Sequence, residues 1–141
     1  TRRPDEILTE VVLPPADGIK STYWKLRRRG AFDFPVLGVA AAIRTDAGGI
    51  IKEARMVLGA VASQPIVAER AATLLVGRTL TDDTIGEVAA AAASRAKPLD
   101  NTDLDLYWRK DVVASFTSYA LRELRGDEVG DVRKRIARQV L

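Results

Sequence analysis

The sequence contains no cysteine and no histidine. Without cysteine this chain has no disulfide, thiolate metal site, iron–sulfur ligation or thiol nucleophile. Without histidine it loses the commonest general base and metal ligand, so no Ser-His-Asp or Cys-His site can be assembled from these residues alone. Long apolar runs are missing too, and nothing approaches the about 18 residues of a membrane-spanning helix. The opening residues, Thr1-Arg2-Arg3-Pro4-Asp5, have no apolar h-region, so no signal peptide is visible and a cytoplasmic location is expected. Charge of one sign is scarce in excess: 22 Lys and Arg against 19 Asp and Glu give a net charge of +3. The two signs are interspersed, unlike the one-sided basic patch of a nucleic-acid binder, so no nucleic-acid partner is expected. Neither a Gly-x-Gly-x-x-Gly motif nor a phosphate-binding Gly-x(4)-Gly-Lys-Ser/Thr loop occurs.

What remains is an ordinary globular composition. The 141 residues are 47% hydrophobic and 29% charged, enough for one domain with a sizeable core. The chain is organised around Tyr23 to Ile43. From Val36 to Ile43 every position is apolar or small, the pattern of a central strand that can be buried on both faces. The preceding half is aromatic and cationic, with Tyr23, Trp24, Lys25, Arg27, Arg28 and Arg29 ahead of a turn at Gly30. Such a loop feeding a buried strand can hold an anionic or electron-rich ligand against a rigid scaffold. It can equally be an edge strand protected by lysine and arginine.

Taken in order, Asp5 to Leu13 alternates as a first strand, stopped by Pro14-Pro15 and Asp17-Gly18. Ser21 to Leu26 is a second strand. Its period of two places Tyr23 and Lys25 on one face and Trp24 on the other, toward a core. Val36 to Arg44 and Ile50 to Leu58 flank a hairpin loop at Thr45–Gly49. In the second of these strands Ile50, Ala54, Met56 and Leu58 share a face. Val61 to Gln64 can extend the sheet until Pro65 breaks it. Ile66 to Leu75 reads as a helix with Ala68, Ala71, Ala72 and Leu75 as its stripe. Thr81 caps the next helix, whose face is Ile85, Val88, Ala89, Ala92 and Ala96 and which Pro98 stops. The longest helix runs from Leu104 to Arg125 and ends at Gly126. Near its start, Tyr107 or Trp108 can anchor it to the sheet while Arg109 meets an acid or a backbone carbonyl. Acid pairs such as Asp82-Asp83 and Asp103/Asp105 read as caps or solvated loops. Residues 127–141 form a polar amphipathic tail with Val132, Ile136 and Val140 at helical spacing: an add-on helix, a linker or a partner-binding tail. Strands first and helices after give an α+β domain over 1–126, an antiparallel sheet with about three helices on one face, plus a C-terminal add-on helix.

The ordered set of motifs is also recognisable. Tyr23-x-Lys25-Leu26-x-Arg28-Arg29-x(3)-Asp33-Phe34-Pro35-x-x-Gly38-Val39-Ala40 resembles the opening of the C-terminal domain of the FAD-binding (medium) subunit in molybdenum hydroxylases. These are the carbon monoxide dehydrogenase, xanthine dehydrogenase and 4-hydroxybenzoyl-CoA reductase family. Asp5-Glu6-Ile7-Leu8, Leu80-Thr81-Asp82-Asp83 and Pro98-Leu99-Asp100 followed by Tyr107-Trp108-Arg109 look like the family too, although Trp108 is inserted where it typically shows Tyr-Arg. The resemblance implies a domain covering a flavin that passes electrons from iron–sulfur clusters to an external acceptor, and not catalytic alone. It implies FAD held mainly by a glycine-rich N-terminal part with no counterpart in these residues, so that none binds tightly to this chain alone. The implied partners are that part, an iron–sulfur subunit and a molybdopterin subunit. By the same resemblance Tyr23 matches an aromatic shielding one flavin face, Lys25 a lysine at the ring's edge, and Asp33 an acid in the following loop. The other reading is a stand-alone binding or assembly module derived from that domain.

Overall fold

In the computed structural model, residues 3–13, 15–29, 33–99 and 104–138 are described. Four strands, β1 (Ile19–Arg27), β2 (Pro35–Thr45), β3 (Ile51–Gly59) and β4 (Ile66–Val67), form one antiparallel sheet in the order β1-β2-β3-β4. Four helices follow: α1 (Glu69–Leu75), α2 (Asp82–Ala93), α3 (Leu106–Arg125) and α4 (Gly130–Arg138). The expected α+β arrangement is observed. The short loop between β2 and β3 permits only a hairpin, and the register is antiparallel, with Ala41 opposite Met56 and Ile43 opposite Ala54. Asp46 builds that turn: its carboxylate accepts from the amides of Gly48 and Ile50 at 2.9 Å each, and Gly49 takes φ = 78°.

Strand alternation sorts the side chains. Trp24 and Leu26 of β1, Leu37, Val39, Ala41 and Ile43 of β2, and Met56 and Leu58 of β3 are buried beneath the helices. Helix residues Ala71, Leu75, Ile85, Val88, Ala92, Val113, Phe116, Ala120 and Leu121 complete the core. Thr81 caps α2 as expected, its Oγ1 accepting from Thr84 N at 3.2 Å. Asp105 caps α3, accepting from Trp108 N at 2.8 Å. Gly126, at φ = 107°, lets α3 stop. Asp103, Asp100 and Val140 lie outside the described residues.

Several sequence expectations are corrected. Asp5 to Leu13 is not a strand. A strand needs a neighbour to complete its ladder, and no described strand pairs with this segment. Ile66 and Val67 pair with Leu58 and Val57 as β4, so the helix expected from Ile66 begins at Glu69. At the start of β3 it is Ile51 that is buried, not Ile50. Thr45 pairs with Ile51 but Arg44 with Glu53, so β3 carries one extra residue, and this bulge shifts the phase of alternation. β2 is not buried on both faces either, since Ala40 and Ala42 on its second face stay partly exposed.

Arg109 ties the start of β2, the end of β3 and the approach to α3 together. It is only 6% exposed. Its guanidinium donates to three backbone carbonyls, Leu99 O at 3.1 Å, Ala60 O at 2.6 Å and Val36 O at 3.4 Å. Ala60 has φ = 63°, unusual for a residue with a Cβ, and this bond helps hold it there. Trp108 packs partly against the core while Tyr107 points to solvent, so Trp108 is the aromatic anchor. Arg109→Met is expected to lower stability by about 1–3 kcal/mol, because charge-assisted bonds to buried carbonyls are lost. Urea unfolding checks it, and an unchanged midpoint would show the carbonyls to be satisfied by water instead.

Candidate functional site

The sheet face away from the helices carries the residues singled out in the sequence. Tyr23 lies opposite Ala40, and Lys25 opposite Gly38. Both project from this open face because they alternate with Trp24, which is fixed inside. The Tyr23 ring leans along the diagonal and lies over Gly38. A Cβ built on Gly38 would sit 2.9 Å from Tyr23 Oη and 3.3 Å from Cε2. A side chain at this position would collide with the ring where it now lies. Gly38 pairs across the sheet with Gly59, and Ala40 with Val57. The result is a floor built mainly of small residues, with one phenol lying on it and one cationic side chain at its rim. Tyr23 stays 54% exposed, so its outer face is available.

Lys25 is half-buried, and its Nζ donates to the backbone carbonyl of Asp33 at 2.9 Å. Asp33 is thereby brought to the same corner as Tyr23 and Lys25. Its carboxylate is engaged elsewhere. Arg29 meets it through Nη2 at 3.1 Å, Nε at 3.3 Å and its backbone amide at 3.1 Å, while Phe34 N donates at 2.8 Å. These bonds, the Arg29 side chain foremost, lower the Asp33 carboxyl to about 2. Asp33 is thus a loop clamp, which joins the site through its carbonyl and lines a neighbouring cavity of about 140 Å³ with Arg28, Phe34, Leu104 and Arg109.

Beneath β1 lies a polar cluster with no signal in the local sequence. Trp24 packs edge-on against Phe116, with centroids 6.2 Å apart, and lies 5.3 Å from Tyr119. Its Nε1 donates to Glu123 Oε2 at 2.9 Å, and Thr22 Oγ1 donates to the same carboxylate. From α4, Arg133 stacks 4.1 Å over the Trp24 ring, pairs with Glu123 at 2.5 Å and donates to Tyr23 O at 3.3 Å. Its side-chain bonds first, then those of Thr22 and Trp24, hold the Glu123 carboxyl below its usual range. Val132 and Ile136 pack on the core, and a cleft of about 330 Å³ is left between α4 and β1, lined by Tyr23, Lys25, Arg27, Arg133 and Ile136. Arg133 is 110 residues from Tyr23, too far for any sequence window. Gly38 could have been found, because a glycine inside a strand signals close approach.

Among the described residues no group of three or more acids, cysteines or histidines could hold a metal ion. Nor is any described helix long and apolar enough to cross a membrane. The open face brings small residues, an aromatic ring and a cationic side chain close together.

Comparison with known proteins identifies the kind of domain. The family model described as the CO dehydrogenase flavoprotein C-terminal domain matches residues 21–124. The glyceraldehyde dehydrogenase medium chain of Sulfolobus acidocaldarius is 29% identical over 119 residues, covering 84% of this chain and 42% of that protein. The FAD-binding subunit of an Escherichia coli aldehyde oxidoreductase is 39% identical over 83 residues, 58% of this chain and 24% of its own. Carbon monoxide dehydrogenase from Oligotropha carboxidovorans superposes with a TM-score of 0.72 at 25% identity, over 80% of this chain and 38% of the matched one. The chain therefore spans less than half the length of these relatives.

Two outcomes test the geometry. Gly38→Ala is expected to push the Tyr23 ring off the floor, so its effect on stability couples to that of Tyr23→Ala by about 0.5–1 kcal/mol in a double-mutant cycle; strict additivity contradicts the contact. The Asp33 carboxyl, followed by NMR, is expected to titrate near 2 and to move back toward the usual carboxylate value of 3.8 in Arg29→Met. Because the folded value is the lower one, any stability from this clamp is complete above about 3.8 and is lost as pH falls through about 2.

Proposed function

The chain belongs to the family of CO dehydrogenase flavoprotein C-terminal domains, and from that premise we propose that it covers the flavin of a molybdenum-hydroxylase-type dehydrogenase. The single observation that carries this reading is the close approach of the Tyr23 ring to Gly38, with Lys25 on the same face of β1. FAD, held mainly by a separate glycine-rich part, would supply the exchange of electrons between iron–sulfur clusters on a partner subunit and an external acceptor. The residues present fit that group: a floor built mainly of glycine and alanine, with an exposed aromatic ring on it, leaves room for a planar ring, and a Cβ at Gly38 would displace the tyrosine.

In this reading Tyr23 shields one face of the ring and excludes water from it. Lys25, held by the Asp33 carbonyl, is a fixed cation at the edge of the floor. A cation there favours the more negative redox state and so raises the potential. Asp33 acts through Lys25 and through the turn it clamps with Arg29. It is a positioning residue and does not touch the ring. The iron–sulfur and molybdopterin subunits are the proposed partners of the assembled enzyme, and the rest of the flavin-binding subunit is the partner in direct contact.

Lys25→Met in the complete flavoprotein is expected to cost about 1 kcal/mol of stability, because one bond to a carbonyl is lost. It is also expected to lower the flavin potential, whereas Lys25→Arg restores it. Tyr23→Ala is expected to raise reaction with oxygen relative to turnover with the proper acceptor. Redox titration of the three Lys25 forms decides the matter: equal potentials would leave Lys25 as a solvated strand residue. The isolated chain, lacking a cradle for the pyrophosphate, is expected to purify colourless and bind FAD weakly. A yellow, stoichiometric product would overturn this division of labour.

A further inference from the structure

One guanidinium grips three consecutive residues of β1. Arg133 Nη2 donates to Thr22 Oγ1 at 2.9 Å, its Nη1 donates to Tyr23 O at 3.3 Å, and its central carbon lies 4.1 Å over the Trp24 ring. The same group is anchored to α3: Nε donates to Glu123 Oε1 at 2.9 Å, and Nη2 pairs with Oε2 at 2.5 Å. Thr22 and Trp24 donate to that carboxylate too, so β1, α3 and α4 meet at Glu123. A lysine could not replace this arginine, because stacking on an indole while bonding in several directions takes a planar fork.

Arg133 belongs to a helix with little else to fasten it. No residue of α4 is fully buried, and Val132 and Ile136 only lean on the core. Asp131, Lys134, Arg135 and Arg138 face solvent. The strand it grips is itself lightly held, since β1 lies at the sheet edge and pairs with β2 alone. Such a strand has ladder bonds on one side only and shifts more easily than a central one. Residues 130–138 also lie outside the stretch that the family model matches, 21–124.

We propose that Arg133 is the positioning residue for Tyr23, with α4 as a strap that fixes the backbone of β1 at residues 22–24. Arg133 acts through the Tyr23 carbonyl and the Trp24 ring, not through the floor around Gly38. Because side chains alternate along a strand, an indole fixed on one face sets the phenol on the other. The strap thus decides where the Tyr23 ring rests beside Gly38. That the ring so placed shields a flavin rests on the proposed function; that Arg133 places the ring does not, and the two fail separately.

The first experiment follows the Gly38 α-protons of the chain by NMR, because the nearby Tyr23 ring shifts them. Arg133→Met leaves Glu123 bonded to Trp24 and Thr22, so the fold is expected to survive. It is expected to move the Gly38 signals toward their positions in Tyr23→Ala. Exchange of the α4 amides is expected to speed up by about tenfold or more, since charge-assisted bonds are lost. Arg133→Lys restores the charge without the fork and is expected to behave as Arg133→Met does. Ile136→Ser loosens the strap at its other contact and is expected to move the same signals less. Unmoved Gly38 signals in Arg133→Met overturn the proposal, and full rescue by lysine overturns it by reducing Arg133 to a counter-charge for Glu123. The second experiment measures, in the complete flavoprotein, reaction with oxygen relative to turnover with the proper acceptor. Arg133→Met is expected to raise that ratio by no more than Tyr23→Ala does, and to add nothing in the Tyr23→Ala background. Fold-changes that multiply in the double variant overturn the positioning role. A ratio that ignores Tyr23→Ala, with Gly38 signals that still answer to Arg133, would keep the strap and remove the flavin-covering role.

Discussion

The inward position of Trp24 is the constraint from which the rest follows. Its ring is enclosed by Phe116, Tyr119 and the Arg133 guanidinium, and its Nε1 is satisfied by Glu123. A buried indole N–H without a partner would be costly, and here the partner is a carboxylate itself neutralised by arginine. With Trp24 inside, strand alternation leaves Tyr23 and Lys25 no choice of face. A slip of β1 by one residue would drive Lys25 and Tyr23 under α3 and turn the tryptophan out. Burying an unpaired ammonium group is the more expensive half of that exchange, so the register of β1 is strongly set. The geometry of the open face is thus decided by what lies on the other side of the sheet.

Several charged residues in this chain hold backbone in place. Asp33 clamps the turn that leads into β2, Asp46 builds the hairpin, and Arg109 gathers three carbonyls. Arg125 links Asp82 at the start of α2 to Asp127 beyond α3. Each replaces hydrogen bonds that loops cannot make for themselves. The lowered carboxyls of Asp33, Asp46, Glu123 and Asp127 all reflect bonding to lysine or arginine. Their combined consequence is a fold whose electrostatic support declines only as acid neutralises these groups. Being largely exposed, the individual pairs are each modest.

Against this fixed frame the open face is plain in form. Gly38 and Gly59 lie side by side, Ala40 and Ala42 extend the floor, and the phenol rests upon it. Such a surface presents shape and charge more than a hydrogen-bonding pattern. The tail helix α4 lies outside the matched family domain, yet it reaches β1 through Arg133 and lines the cleft beside Tyr23 and Lys25.

Local chemistry in the sequence was enough for the elements whose determinants lie within a few residues. Alternation gave β1, β2 and β3, the helical stripe gave α1 to α3, and Thr81 and Gly126 marked their ends. It also put Tyr23 and Lys25 on one face, because period two is a property of the extended backbone itself. The tertiary structure alone decided which face lacks a cover, that Lys25 reaches the Asp33 carbonyl, and that Arg133 stacks on Trp24. It alone decided that Ile51 is buried in place of Ile50, since a bulge is a mismatch between two strands and is invisible in either. The segment from Asp5 to Leu13 makes the same point most directly. Its residues carry the pattern of a strand, but a strand is completed by hydrogen bonds to a neighbour, and whether a neighbour is present is not written in the strand's own sequence.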